Sequence, residues 1–139
     1  MIDMDAWPIL TRIWKLQRDL AQKATPCIDG FAISPRGLML LAFVERYPNP
    51  SGLARELHIP TPSVSHALKK LEQSGLLERK NDPNDLRRFV FILTEKGKRA
   101  LVGGQECLQS SFRETLKRLD PAERRELDRL LQKLTEGES

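Results

Sequence analysis

The chain has 139 residues, 40% hydrophobic and 30% charged, which fits one domain, or one domain with appended helices, and excludes a disordered chain. Its net charge is +4, and that excess lies within residues 51–100, where ten Lys or Arg stand against six Asp or Glu. A basic excess confined to one segment is the footprint of a nucleic-acid surface, although so small an excess also suits a solvated charged face, so charge supports the case without making it.

From Trp7 to about Ala24, Trp7, Leu10, Ile13, Trp14, Leu16 and Leu20 recur largely at helical spacing, which predicts an amphipathic helix. The segment Thr25-Pro26-Cys27-Ile28-Asp29-Gly30 is expected to break it. Ser34-Pro35 then opens a second helix, with Ser as N-cap and Pro at the first helical position. That helix, Pro35 to about Arg46, is apolar around most of its circumference and is expected to be central.

Tyr47-Pro48-Asn49-Pro50 stops it, and Ser51 is placed to cap a short helix over Gly52 to Leu57. After the turn His58-Ile59-Pro60, Thr61 and Pro62 repeat the cap-plus-proline start of a helix running to Ser74, with Gly75 as a left-handed terminator. Leu76 to Lys80 and Phe89 to Leu93 are strand candidates of an antiparallel hairpin, joined by the charged loop Asn81 to Arg88. Thr94 caps the next helix, whose apolar face continues from Leu101 to Leu119. Asp120-Pro121-Ala122-Glu123 opens a last helix with a Leu127, Leu130, Leu131, Leu134 stripe.

Two short helices followed by a charged hairpin form a winged helix-turn-helix. The fold class expected is mainly α with a small β-hairpin wing, carrying extra helices at both chain ends. In such a unit the second helix enters the major groove. Its apolar stripe of Val64, Leu68 and Leu71 leaves Thr61, Pro62, Ser63, Ser65, His66, Lys69 and Lys70 facing outward. The small hydroxyls permit close approach, His66 can donate to a base edge or a phosphate, and the two lysines suit phosphate oxygens. Arg87 or Arg88 at the wing tip can reach the narrow minor groove, with Asp85 as a bidentate partner that orients the arginine.

The order Leu53-Ala54-x-x-Leu57, Val64-Ser65, Leu71-Glu72-x-x-Gly75-Leu76-Leu77-x-Arg79, then Asp85-x-Arg87-x5-Leu93-Thr94-x-x-Gly97 resembles the MarR family of winged-helix regulators. The resemblance implies a homodimer in which the first and last two helices of each subunit intertwine. On that pattern residues 1–139 form a single domain, with 7–24 and 101–134 as dimerisation helices and 35–100 as the DNA-binding region. It implies that Ser63, Ser65, His66 and Lys69 lie on the recognition helix and that Arg87 is the minor-groove arginine. His58 departs from the pattern, because the family often has glycine there. The expected function is sequence-specific binding of double-stranded DNA at a pseudo-palindromic operator, as a repressor rather than an activator. Release by a small aromatic or anionic effector is also implied. Trp7, Trp14, Met39 and Phe43 can line a pocket, although such residues at helical spacing are usually core, and no ligand-binding residues are assigned. The alternative is a winged module that binds a protein or RNA partner.

The extra helices have a second warrant for dimerisation, since their stripes exceed what one winged domain needs to cover. Cys27 and Cys107 show no C-x-x-C spacing and no histidine cluster, so neither a disulfide framework nor a zinc site is indicated, and a reducing cytoplasm is the expected compartment. Neither cysteine falls in the expected first helix, where the peroxide-sensing branch of that family carries its thiol. No metal or other cofactor is expected. No apolar run approaches the roughly 20 residues needed to span a bilayer, and Met1-Ile2-Asp3-Met4-Asp5 lacks the basic start of a secretory signal. There is no Gly-rich phosphate loop, no G-x-S-x-G, no H-E-x-x-H and no nucleophile with a base at recognisable spacing, so no enzyme is expected.

Overall fold

The structure is a computed structural model that describes residues 1–136. Its elements run α1 (Ala6–Asp29), α2 (Pro35–Val44), α3 (Pro50–Leu57), α4 (Thr61–Gln73), β1 (Leu77–Asp82), β2 (Asp85–Leu93), α5 (Glu95–Leu116) and α6 (Pro121–Glu136). This is the mainly helical architecture with a two-stranded antiparallel hairpin that the sequence predicts. Among the described residues no helix is long and apolar enough to cross a membrane.

The core gathers where α2 meets its neighbours. Leu38, Leu40, Leu41 and Val44 of α2 are fully buried against Leu53 of α3, Val64 and Leu68 of α4, Leu76, Leu77 and Phe91. Each such aliphatic side chain contributes roughly 1.5–3 kcal/mol on burial, so α2 holds the helix-turn-helix and the hairpin to one body. Its first turn is capped as expected, with Ser34 Oγ accepting from Gly37 N at 3.0 Å.

Several boundaries differ from expectation. Helix α1 does not stop before Pro26 but continues through it to Asp29. A proline inside a helix removes one hydrogen bond and crowds the preceding turn; here Ala24 and Ile28 on either side are fully buried, and their packing holds the helix on. Helix α3 begins at Pro50, capped by Asn49 Oδ1 on Gly52 N at 2.7 Å, so Ser51 lies inside the helix and is not the cap. The β strands extend into the expected loop and leave only Pro83 and Asn84 as the turn.

The cysteines give the largest correction. Cys27 of α1 and Cys107 of α5 form a disulfide, with Cα atoms 5.7 Å apart and a sequence separation of 80. No local spacing signals a pair so distant; it arises because α1 packs on α5, whose glycines admit side chains of α2 and of the turn after α1. A Cβ at Gly104 would lie 2.5 Å from Leu38 Cδ1, and one at Gly103 would overlap the Phe31 ring. The disulfide runs against the expectation of reduced thiols, and Cys27 lies within the first helix after all.

Closing a loop of this length restricts the unfolded chain, typically by about 2–4 kcal/mol of stability. The oxidised protein should therefore show no thiol titratable under denaturing conditions. The Cys27→Ser variant should lose about that much in urea unfolding; equal stability would mean that the link adds nothing.

Candidate nucleic-acid interface

Helix α4 follows α3 through a turn in which His58 adopts left-handed backbone angles, φ 54° and ψ 43°. Glycine takes that conformation most easily, so the departure at His58 leaves the turn formed at some conformational cost. The expected cap Thr61 is instead the first helical residue. Pro60 holds the cap position and its carbonyl accepts from Ser63 N at 3.0 Å and Val64 N at 3.1 Å. Gly75, φ 79°, terminates the helix as predicted.

Val64, Leu68 and Leu71 are buried, which turns the opposite face outward. Thr61, Pro62, Ser63, Ser65, His66, Lys69 and Lys70 are all exposed. None of the eight ion pairs among the described residues includes Lys69 or Lys70. The face therefore presents hydroxyls, an imidazole and two unpaired ammonium groups to solvent.

The wing places its arginines differently from the expected tip. Asn84 N donates to Asp82 Oδ1 at 2.9 Å to close the turn, and Arg87 and Arg88 stand on β2 beyond it. Asp85 does not grip one arginine in a bidentate fork. Its Oδ1 accepts from Arg87 N at 3.0 Å and from Arg87 Nε at 3.4 Å, while Oδ2 lies 3.7 Å from Arg88 Nε. One carboxylate thus serves two arginines, and the Arg87 side chain remains 92% exposed.

Two cationic grooves flank these elements, and each holds an arginine that sequence reasoning did not single out. Between the start of α3 and the wing, an open groove of about 600 Å³ is lined by Asn49, Ser51, Arg55, Arg87 and Arg88 among others. Beside α4, one of about 440 Å³ is lined by Ser34, Arg36, His66 and Lys70 among others. Arg55 is visible in sequence as the one cationic residue of a short helix whose Leu53 and Ala54 face inward. Arg36 carried no such signal, because its helix reads as apolar nearly all round.

Residues 33–88 match the MarR family. The chain is 25% identical over 117 residues to the HTH-type transcriptional regulator YdgJ of Bacillus subtilis (strain 168), covering 84% of this chain and 71% of that protein. It is 29% identical over 110 residues to the HTH-type transcriptional repressor Mb2911 of Mycobacterium bovis (strain ATCC BAA-935 / AF2122/97), covering 74% and 79%. In fold it is similar to a crystal structure of a mutant MarR from E. coli complexed with operator DNA. The TM-score is 0.80 at 21% identity, over 96% of this chain and 99% of that one.

Because both Asp85–arginine contacts are exposed, their pairing energy is small, roughly 0–1 kcal/mol. Asp85→Ala should therefore shift urea stability by no more than about that amount. A larger loss would make Asp85 a folding residue rather than one that orients the wing.

Proposed function

We propose that the chain, whose residues 33–88 match the MarR family, is a transcriptional regulator that binds a pseudo-palindromic operator in double-stranded DNA as a homodimeric repressor. The observation that carries this reading is the unpaired outward face of α4 together with a wing arginine that is 92% exposed. Ser63, Ser65 and His66, with Thr61 and Pro62 at the helix start, meet base edges in the major groove. Lys69, Lys70 and Arg88 neutralise phosphates, and Arg87 enters the minor groove under the orientation that Asp85 imposes. Operator DNA in the E. coli structure of similar fold and the repressor name of the mycobacterial relative support the same reading.

Residues 1–139 act as one unit, in which 35–100 bind DNA and 7–24 with 101–134 dimerise. Helix α6 buries no residue within its own chain, and Leu130, Leu131 and Leu134 are exposed on it. At the other end of the chain Trp7, Ile9, Ile13 and Trp14 are exposed on α1. Apolar faces on both terminal helices fit a second copy of the chain. An aromatic or anionic effector would act between these arms and the winged domain, with Trp7, Trp14, Met39 and Phe43 as the candidate lining.

Selection from random duplexes should enrich a two-fold symmetric site. Against that site Arg87→Ala should weaken binding about tenfold, and His66→Ala or Ser65→Ala should change base preference as well as affinity. Loss that is uniform across sequences would reduce α4 to a phosphate contact, and enrichment of RNA or of no duplex would overturn the reading. In a mass measurement at micromolar concentration the protein should be a dimer, and Leu131→Asp should shift it toward monomer. A monomeric wild type would remove the symmetric operator from the proposal.

A further inference from the structure

One side chain touches both parts of the candidate interface. Arg79 lies on β1 opposite Phe91 of β2, and Asn81 lies opposite Phe89, so the arginine and the two rings share one face of the hairpin. Its guanidinium carbon sits 4.0 Å from the centre of the Phe89 ring and 5.3 Å from that of Phe91. The rings themselves meet edge to face, with centroids 5.6 Å apart. From the same guanidinium, Nη2 donates to Glu72 Oε1 at 3.2 Å, in the last turn of α4.

Both ends of this bridge are anchored. Phe91 is buried and its N–H donates to Pro48 O at 2.9 Å. Phe89 packs against the core and also lines the groove that holds Arg55, Arg87 and Arg88. Arg87 stands two residues before Phe89 on the same strand, hence on the same strand face. A planar guanidinium can stack on a ring and donate to a carboxylate at once, which an ammonium cannot do with comparable geometry. Arg79 is also less exposed than Arg87, its side chain 42% accessible against 92%, and its charge already has a carboxylate partner.

We propose that Arg79 is a positioning residue for DNA binding: through Glu72 and Phe89 it holds the wing strand at a fixed disposition to the recognition helix, so that α4 and Arg87 engage the duplex together. This rests on the DNA-binding reading above. Arg79 acts through Arg87 rather than by its own contact with DNA. Removing it leaves the number of neutralised phosphates unchanged and costs only the pre-arrangement of the wing.

A double-mutant cycle between Arg79→Ala and Arg87→Ala, read on the duplex selected by the wild type at several salt concentrations, separates these roles. Arg79→Ala should weaken binding several-fold with the salt dependence unchanged, and in the Arg87→Ala background that loss should fall below about twofold. Arg79→Lys, which keeps the charge, should behave like the alanine variant. Phe89→Leu keeps an apolar side chain against the core while removing the ring face, and should give the same signature if Arg79→Ala proves poorly folded. Additive losses with a salt slope reduced by about one unit would make Arg79 a phosphate contact and overturn the inference. So would rescue by lysine or unchanged affinity. Failure of the wild type to select any duplex would overturn the DNA-binding reading and this inference together, whereas the other adverse results overturn this inference alone.

Discussion

The arrangement of the interface depends on one joint, where the end of α4, the start of β1 and the start of α5 meet. Thr94 Oγ1 donates to Gly75 O at 2.6 Å and accepts from Gly97 N at 3.0 Å, while Thr94 N donates to Leu76 O at 3.1 Å. Lys96 Nζ reaches the carbonyl of Ser74 at 2.9 Å, satisfying a group left open at the end of α4. The approach is so close that a Cβ at Gly97 would overlap Leu76 O, so only glycine fits there without a backbone shift. With α4 and α5 tied to the same two residues of the connecting turn, α4 and the long helix after the wing cannot rotate independently.

A second set of contacts fixes the other side of the domain. Cys27 and Cys107 bond α1 to α5, and Gly103 and Gly104 let Phe31 and Leu38 sit almost against the α5 backbone. Packing and covalent link act in the same place. Tight interiors transmit displacement because they have little space in which to absorb it. Beyond this point support from within the chain thins out: α6 is held at its start by a reciprocal cap between Asp120 and Glu123 and by Arg124 Nε on Leu116 O at 2.9 Å, yet it buries no residue.

What the sequence disclosed was mostly local. Thr94 as a cap with Gly97 three residues on, the Asp120–Glu123 capping box and Gly75 as a left-handed stop each depend on a few adjacent residues, and each forms as expected. The buried stripe of α4 was equally legible, because helical periodicity determines which residues turn outward. What escaped depends on partners distant in the chain. Pro26 sits inside α1 because Ala24 and Ile28 are held by the core, and the disulfide exists because two helices far apart in sequence bring cysteines 80 positions apart together. The wing arginines stand away from the tip because of one feature of the turn: Asp82 caps Asn84, which shortens the loop and leaves Arg87 and Arg88 on the strand. Which arginines converge on the grooves is likewise a property of α3 and the wing together, so Arg55 could be counted from sequence but not located.

Helix α5 connects the two fixed points. Its 22 residues span about 33 Å at 1.5 Å per residue. The joint at Thr94–Gly97 holds its first turn, and the contact at Gly103–Cys107 holds its middle, about 15 Å further along. A rigid rod held at two points has a defined direction relative to both α4 and α1. The hairpin adds a third constraint, since β2 runs directly into Thr94 and carries Arg87 on the same strand. Within one chain the wing, α4 and the inner half of α5 therefore move as one body. Outside this body lie the turns of α5 beyond Cys107, helix α6 and the outer turns of α1, where Trp7, Trp14, Leu130 and Leu134 are exposed.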